Sequence, residues 1–482
     1  MFSKDTNTQS KAEFVILDDL IPKDHLLRKI DATVDFSFIN DICEPYYCAD
    51  NGRPAIEPKI LFKMLLIGYL YGIRSERRLV EEVKVNMAYR WFLGYGLTDK
   101  IPDVSVIWQN RVRRFNGTDV VQQIFDRIVE EALSLGFISG KVLYTDSTHL
   151  KANASKTRFV NKEVKTSVSK YFDDLDEDVN ADRAAHGKRP LVDKDDDDDE
   201  PKMKNNKSSL TDPDAGFMHR DRKPLGFFYL EHRTVDSAYN IITDVFVTPG
   251  NINDTTPYIE RLDHQIERFE FDVKAVGLDA GYNTVTICRE LAKRKIDAAI
   301  GYRRAASKKG KFNKYKFSYI PEWDIYICPE RCYLEYATTS RDGTKTYRAR
   351  RERCKACPRN CECLSSKQNV KVLYRHIWEN YKDDARTFSL SPIGKRIYAK
   401  RKETIERSFA DAKELHGMRY ARMRGQPKVQ EQCLLTAIAQ NIKKMAMKLE
   451  GSTSSFLHIH SCFVKILLSF QIMRKPLLSQ AL

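Results

Sequence analysis

The chain has 482 residues, too many for one ordinary domain and enough for two or three with a sizeable core. Hydrophobic residues make up 42% and no run of 18 apolar residues occurs, which excludes a helical membrane span and leads us to expect a soluble, intracellular protein with no membrane partner. Net charge is +15, yet residues 171–200 alone balance to −9, so the remainder carries +24, the excess expected of a protein that meets a polyanion.

In chain order, residues 15–135 read as a helical domain. Pro54 and Pro58 precede apolar positions Ile60, Leu61, Met64 and Leu65 at helical spacing, and Ser75 and Asp103 stand where caps for later helices belong. Arginines recur on these short helices, as in a helix-turn-helix-like DNA-binding module. A further amphipathic helix leads into an apolar strand over 141–145 that ends at Asp146. Residues 157–223, with an almost purely acidic run followed by a basic one, are expected to form a mobile insertion. Two β-branched, aromatic-rich stretches, 226–235 and 240–247, predict a hairpin. A helix over 257–269, a strand over 273–278 ending at Asp279, a helix over 284–294 and a strand over 297–300 follow. A basic, Cys-rich insertion spans 301–385, a helix runs over roughly 394–416, and the tail 451–482 has a short apolar stretch suited to packing.

Asp146 and Asp279 each follow an apolar strand, the edge where open α/β sheets place ligands. If their strands are neighbours, the carboxylates repel unless cations neutralise them. A third acid from the late helix would complete a site for two divalent ions. Glu403, Glu406, Asp411 and Glu414 compete for that place. Glu406 is favoured because Lys413 lies two helical turns on and Lys402 one turn before, so that cations flank it. Taken singly, each acid has an ordinary alternative as a turn, a cap or a solvated helix face.

Six of the eleven cysteines crowd into residues 328–363. Cys354, Cys357 and Cys363 are spaced like a zinc knuckle, and Cys328 upstream offers a fourth thiolate for a structural Zn²⁺. Reduced, unliganded thiols are the alternative. For phosphate contact the candidates are Arg74, Arg77, Arg78, Arg111, Arg113, Arg114, Arg419, Arg422 and Arg424. The stretch 302–315 mixes tyrosines with cations, as single-stranded or frayed ends require.

At Asp146-Ser-Thr-His-Leu-Lys-Ala-Asn153, Gly277-Leu-Asp279-Ala-Gly-Tyr-Asn283 and Glu406-Arg-Ser-Phe-Ala-Asp-Ala-Lys413 the chain resembles bacterial insertion-sequence transposases of the DDE group. The stretch Gly52 to Phe115 looks like their InsH-type N-terminal domain. The resemblance implies an α/β fold: an RNase H-like mixed sheet flanked by helices (140–300 and 390–450), preceded by the all-α domain and interrupted by the Cys-rich insertion. It implies catalytic Asp146, Asp279, Glu406 and Lys413, with the three acids holding two Mg²⁺ or Mn²⁺ ions. It also implies cleavage of element ends and joining of the 3′-hydroxyl to target DNA. The partners implied are double-stranded DNA, as terminal inverted repeats and target, and a second copy of the chain. The setting implied is a prokaryotic cytoplasm, at the nucleoid. The zinc-knuckle cysteines match an insertion these transposases often carry. One subgroup has Tyr-x2-Arg-x3-Glu-x6-Lys, whereas here four residues separate Arg401 from Glu406. At α-helical spacing Lys402 takes the place of that arginine and Ala399 that of the tyrosine, so lysines are expected to hold the phosphate. The rival readings are a metal-dependent nuclease that cuts without joining and a non-catalytic DNA-binding regulator derived from a transposase.

Overall fold

The computed structural model describes residues 14–48, 55–165, 172–191, 203–219, 225–302, 310–364 and 369–450. The acidic run 193–200, residues 303–309 of the basic stretch 302–315 and the tail 451–482 lie outside the described residues.

Eight helices come first: α1 Leu17–Leu20, α2 Leu26–Thr33, α3 Phe38–Cys43, α4 Pro58–Leu70, α5 Glu76–Val85, α6 Met87–Leu93, α7 Val104–Gln109 and α8 Val120–Ser134. Ser75 and Asp103 cap α5 and α7 by accepting from the amides of Arg78 and Ser105. The helix α4 buries nine of its thirteen residues, so it is apolar nearly all round and forms the axis of this region.

The strands β1 Val142–Lys151, β2 Phe159–Lys165, β3 Met203–Ser209, β4 Gly216–Met218, β5 Gly226–Asp236, β6 Ile242–Pro249, β7 Ala275–Leu278 and β8 Asp297–Ile300 make one sheet. Its heart has the order β6-β5-β1-β7-β8, with β6, β5 and β1 antiparallel and β7 and β8 parallel to β1. This is the RNase H-like arrangement. Between its strands lie α9 Phe172–Ala185, α10 Tyr258–Phe269 and α11 Val285–Lys293.

Within 157–223, expected as a mobile insertion, the described residues form regular elements. Their strands β2, β3 and β4 extend the sheet from the start of β5. Their helix α9 is pinned by charge, because Arg289 on α11 pairs with Asp174 at 2.8 Å and Asp178 at 3.3 Å and stacks on Trp378. The acidity read as a sign of disorder is, over 174–182, the means of docking.

A second sheet has the antiparallel order β13-β12-β11-β10-β9, from β9 Ser318–Ile320, β10 Ile325–Ile327, β11 Tyr333–Thr339, β12 Thr344–Ala349 and β13 Val372–His376. The short helices α12 Arg351–Lys355 and α13 Asn360–Cys363 lie between its last two strands. Phe317, Tyr326, Leu334, Tyr347, Ala349 and Leu373 give it a small core of its own. The chain then returns through α14 Glu379–Leu390, α15 Pro392–Lys400, a π-helical turn Lys402–Glu406 and α16 Arg407–Glu414 to α17 Gln426–Glu450.

This last helix fastens the two halves together, packing on α2, α4 and α8 as well as on β6. Its amides close the outer edge of β6. Gln430 bonds the Val247 amide and the Val245 carbonyl, and Asn441 bonds both backbone groups of Ile242, each bond at 2.7–2.8 Å. An edge strand that would otherwise present open donors and acceptors is thereby satisfied from within the chain. No helix among the described residues is long and apolar enough to cross a membrane.

Candidate active site

The parallel pairing of β1 with β7 stops at Thr145 and Leu278. The next residues are Asp146 and Asp279, so the register places the two acids side by side. Asp279 follows its strand as expected. Asp146 does not, because β1 continues for five more residues with β5 as its one strand partner and a single bridge from Lys151 to Tyr420. It is the loss of the β7 neighbour, not the end of the strand, that opens space at Asp146.

The third acid comes from the segment after α15. Here the extra residue between Arg401 and Glu406 has a structural answer. The Glu406 amide bonds the Arg401 carbonyl at 3.1 Å, an i to i+5 step that absorbs one residue as a π-bulge. Arg401 therefore remains on the inner face and Lys402 is exposed, correcting the expectation that Lys402 takes the inner position. Arg401 is 4% exposed. Its Nη2 donates to Asp146 at 2.6 Å, and its Nη1 lies 3.8 Å from Asp279 and 3.9 Å from Glu406. Three carboxylates from three elements thus converge on one guanidinium. Gly277 makes room for the Tyr144 ring, since a Cβ there would stand 2.5 Å from Tyr144 Cδ1, with Arg401 Cγ at an ordinary 3.5 Å.

Burial pushes the Asp146 carboxyl up to about 6 despite the pull of Arg401 and the Ser147 amide, with Asp279 and Asp254 pushing in the same direction. Asp254, in the turn after β6, is an acid that sequence reasoning missed. No strand-end signal marks it. Lys413 Nζ donates at 2.6 Å to Thr148, which shares a face of β1 with Asp146, so Lys413 and Glu406 approach the same side of the sheet. A second buried cation sets the helix: Arg233 on β5, fully buried, pairs with Glu231 and reaches Ser408 Oγ and Gln440 at 2.8 Å. His149 packs edge-on to Phe228, and burial pushes His232 down to about 4 beside Thr248.

An all-oxygen donor set of this kind suits hard divalent cations. A different set lies in the second sheet, where Cys328, Cys332, Cys354, Cys357 and Cys363 line one cavity of about 230 Å³. The Cys328 amide donates to the Cys332 carbonyl at 2.9 Å and the Cys332 amide to Cys328 Sγ at 3.3 Å, closing a tight turn. Burial raises the Cys363 thiol, and Cys354, Cys328 and Cys357 add to the rise. Five sulfurs around one cavity suit a soft tetrahedral ion. Cys361 is exposed. A third group, Asp182, His186 and Asp324, has ligand atoms within 4.8 Å of one another. Lys345 pairs with Asp182 at 2.5 Å and Asp324 at 3.1 Å, and Tyr319 and Tyr347 donate to Asp324. That group is a neutralised clasp joining α9 to the second sheet.

The arginines chosen from sequence divide. Arg111 sits between Glu76 and Glu431, tying α5 to α17, and these carboxylates already neutralise it. Arg114 is held by Asn110 and the Tyr47 ring. Arg78 and Arg419 pair with Glu82 and Glu414, and Arg113 is exposed. Arg74 and Arg77 are exposed, Arg422 stacks on Tyr69, and Arg424 donates to the Asn153 carbonyl.

Residues 15–113 match the transposase domain family DUF772, and residues 327–446 match a transposase DDE domain family. The second match includes Arg401, Glu406 and Lys413. No curated protein matches the chain. Among solved structures, the crystal structure of the Mos1 mariner paired end complex with Mn is similar at 11% identity, over 54% of this chain and 63% of that chain, with a TM-score of 0.15, too slight a likeness to carry a conclusion. The chain thus carries one segment similar to a transposase domain family and, further on, one similar to a transposase DDE domain family.

Proposed function

We propose that this DNA transposase cuts the ends of its element and joins the freed 3′-hydroxyl to target DNA at Asp146, Asp279 and Glu406. Support comes chiefly from the convergence of these three carboxylates on Arg401. In this reading the acids hold two divalent cations, Mg²⁺ or Mn²⁺, which supply charge for activating the attacking oxygen and stabilising the leaving one. The chain's own groups do the rest. Arg401 takes a non-bridging oxygen of the scissile phosphate when cations replace it among the acids, and Lys413 holds the adjoining phosphate. Asp254 adds negative charge that favours cation uptake. Neither step calls for a covalent enzyme intermediate.

Arg74, Arg77, Arg78, Arg113, Arg419, Arg422 and Arg424 are proposed to meet DNA phosphates; Arg111 and Arg114 are assigned to the scaffold. The five clustered cysteines are proposed to hold one structural Zn²⁺, with Cys332 a competitor for the place given to Cys328, Cys354, Cys357 or Cys363. Two copies of the chain are proposed to act together on two ends, in a prokaryotic cytoplasm at the nucleoid.

The test is a cleavage and strand-transfer assay on the inverted repeats that flank the gene, in Mg²⁺. Wild type is expected to cut and join, and Asp279→Asn to bind the repeats without cutting. Cutting without joining would move the assignment to a nuclease. Cutting that persists in Asp279→Asn would remove the site.

A further inference from the structure

Where the N-terminal helices meet the segment after α16, a cleft of about 760 Å³ opens. Arg74, Arg77 and Trp108 line one side, and Arg422, Arg424 and Lys428 line the other. The acids at hand, Glu76 and Glu431, are both taken by Arg111. Among the described residues no carboxylate pairs with Arg74, Arg77, Arg422, Arg424 or Lys428. Five cations thus face one opening, and of these only Lys428 acts on a lining carboxylate, that of Glu431.

Two of them border the same glycine. Gly417 has φ +69°, and a Cβ on it would lie 3.2 Å from Arg74 Cγ and 3.3 Å from Arg422 Nη2. Guanidinium groups gathered around one glycine repel each other unless an anion sits among them. Trp108 beside them is 56% exposed, a large indole face left in water at the mouth of a cationic cleft. Phosphates with a sugar or base edge next to them match that combination.

The cleft also has a fixed relation to the carboxylates. The segment following α16 runs along the far half of β1, where the Lys151 carbonyl accepts from Ala421 and the Asn153 carbonyl from Arg424. Asn153 is seven residues beyond Asp146, at most roughly 23 Å along extended chain. At about 3.4 Å per base pair that is about five to seven base pairs of duplex.

We propose that this cleft grips the phosphate backbone of double-stranded DNA about five to seven base pairs from the phosphate cut at the carboxylates. The inference rests on the transposase reading above and adds a register to it. The N-terminal helices and the segment before α17 then form one binding surface, held by the Arg111 ion pairs.

The test measures binding of the full-length chain to a fluorescent duplex carrying the inverted repeat beside the gene, over a range of salt. The exposed or half-exposed side chains Arg74, Arg424 and Lys428 are replaced singly by glutamine, with Lys295→Gln, remote in sequence and exposed, as the control. Each cleft variant is expected to bind about five- to tenfold more weakly, with a log–log salt slope smaller by about one, while the control is unchanged. Ethylation of phosphates about five to seven base pairs from the cut is expected to block binding. Wild-type affinity and slope in the cleft variants, or equal weakening in the control, would overturn the cleft while leaving the catalytic reading intact. Failure of wild type to bind the duplex at all would overturn both.

Discussion

Asp146 carries the clearest energetic consequence of the site. Its folded-state carboxyl is raised from the ordinary 3.8 to about 6, so the folded protein holds the proton more tightly than the unfolded chain. The stability this gives is complete below about pH 4 and is lost as pH rises through 6, a loss of about 3 kcal/mol for a shift of about two units. Asp146→Asn, without divalent cations, is therefore expected to unfold at a higher temperature than wild type at pH 7.5 and to lose that advantage at pH 4; a constant difference across this range would contradict the burial argument. Arg401 and Lys402 make a second contrast. Arg401→Ala should reduce cleavage by about a hundredfold or more, as loss of a preorganised charge contact does, whereas Lys402→Ala should stay within a few fold. The reverse ranking in a single-turnover assay would restore the sequence expectation. That expectation failed because it extended an α-helix through the site. The residue types and order of Asp146, Asp279 and Glu406 were readable, but a π-bulge of one turn has no signature in apolar periodicity.

At the scale of elements, the π-helical turn makes a direct prediction. Deleting Lys402, an exposed residue, should let the turn relax to an α-helix that still presents Arg401 and Glu406 inward, now four apart as in the related subgroup. The deletion variant is expected to fold and to keep cleavage within about tenfold of wild type; an unfolded or inactive product would mean the bulge has a role of its own. The helix α17 can be tested through Asn441. Replacing it with leucine leaves the amide and carbonyl of Ile242 buried without partners, at about 1–3 kcal/mol each. A chemical denaturation midpoint unchanged in Asn441→Leu would show that the edge of β6 does not depend on it. The hairpin β5–β6, the strands β7 and β8 and the N-terminal caps were legible because β-branched runs and capping residues mark them locally. The strands of residues 157–223 were not. Their partners are distant in sequence, and their acids pair with Arg289, more than a hundred residues on.

Across the whole molecule, the second sheet has its own small core and meets α9 and the turn after it, where Asp182 engages Lys345 and His186 engages Asp324. A structural zinc would add to a core too small to be firm alone. Protein purified without a histidine tag is expected to hold about one zinc per chain, and Cys357→Ser to hold less than about half as much and to be cut by protease within 310–364. Full protease resistance in a zinc-free sample would place the stability of this sheet in its tyrosine core instead. The composition pointed to a polyanion partner and the clustered cysteines to a metal. It could not reveal that Arg111 is consumed by Glu76 and Glu431, since that depends on α17 returning to the N-terminal helices.

Asp146, Asp279 and Glu406 are proposed to form one divalent-cation site. Its most direct test is Mn²⁺ binding, followed by electron paramagnetic resonance, to the chain bound to a duplex of its element end. Wild type should take up about two ions per chain, and Asp146→Asn, Asp279→Asn and Glu406→Gln should each lose at least about one. Equal uptake by wild type and all three variants would contradict the site.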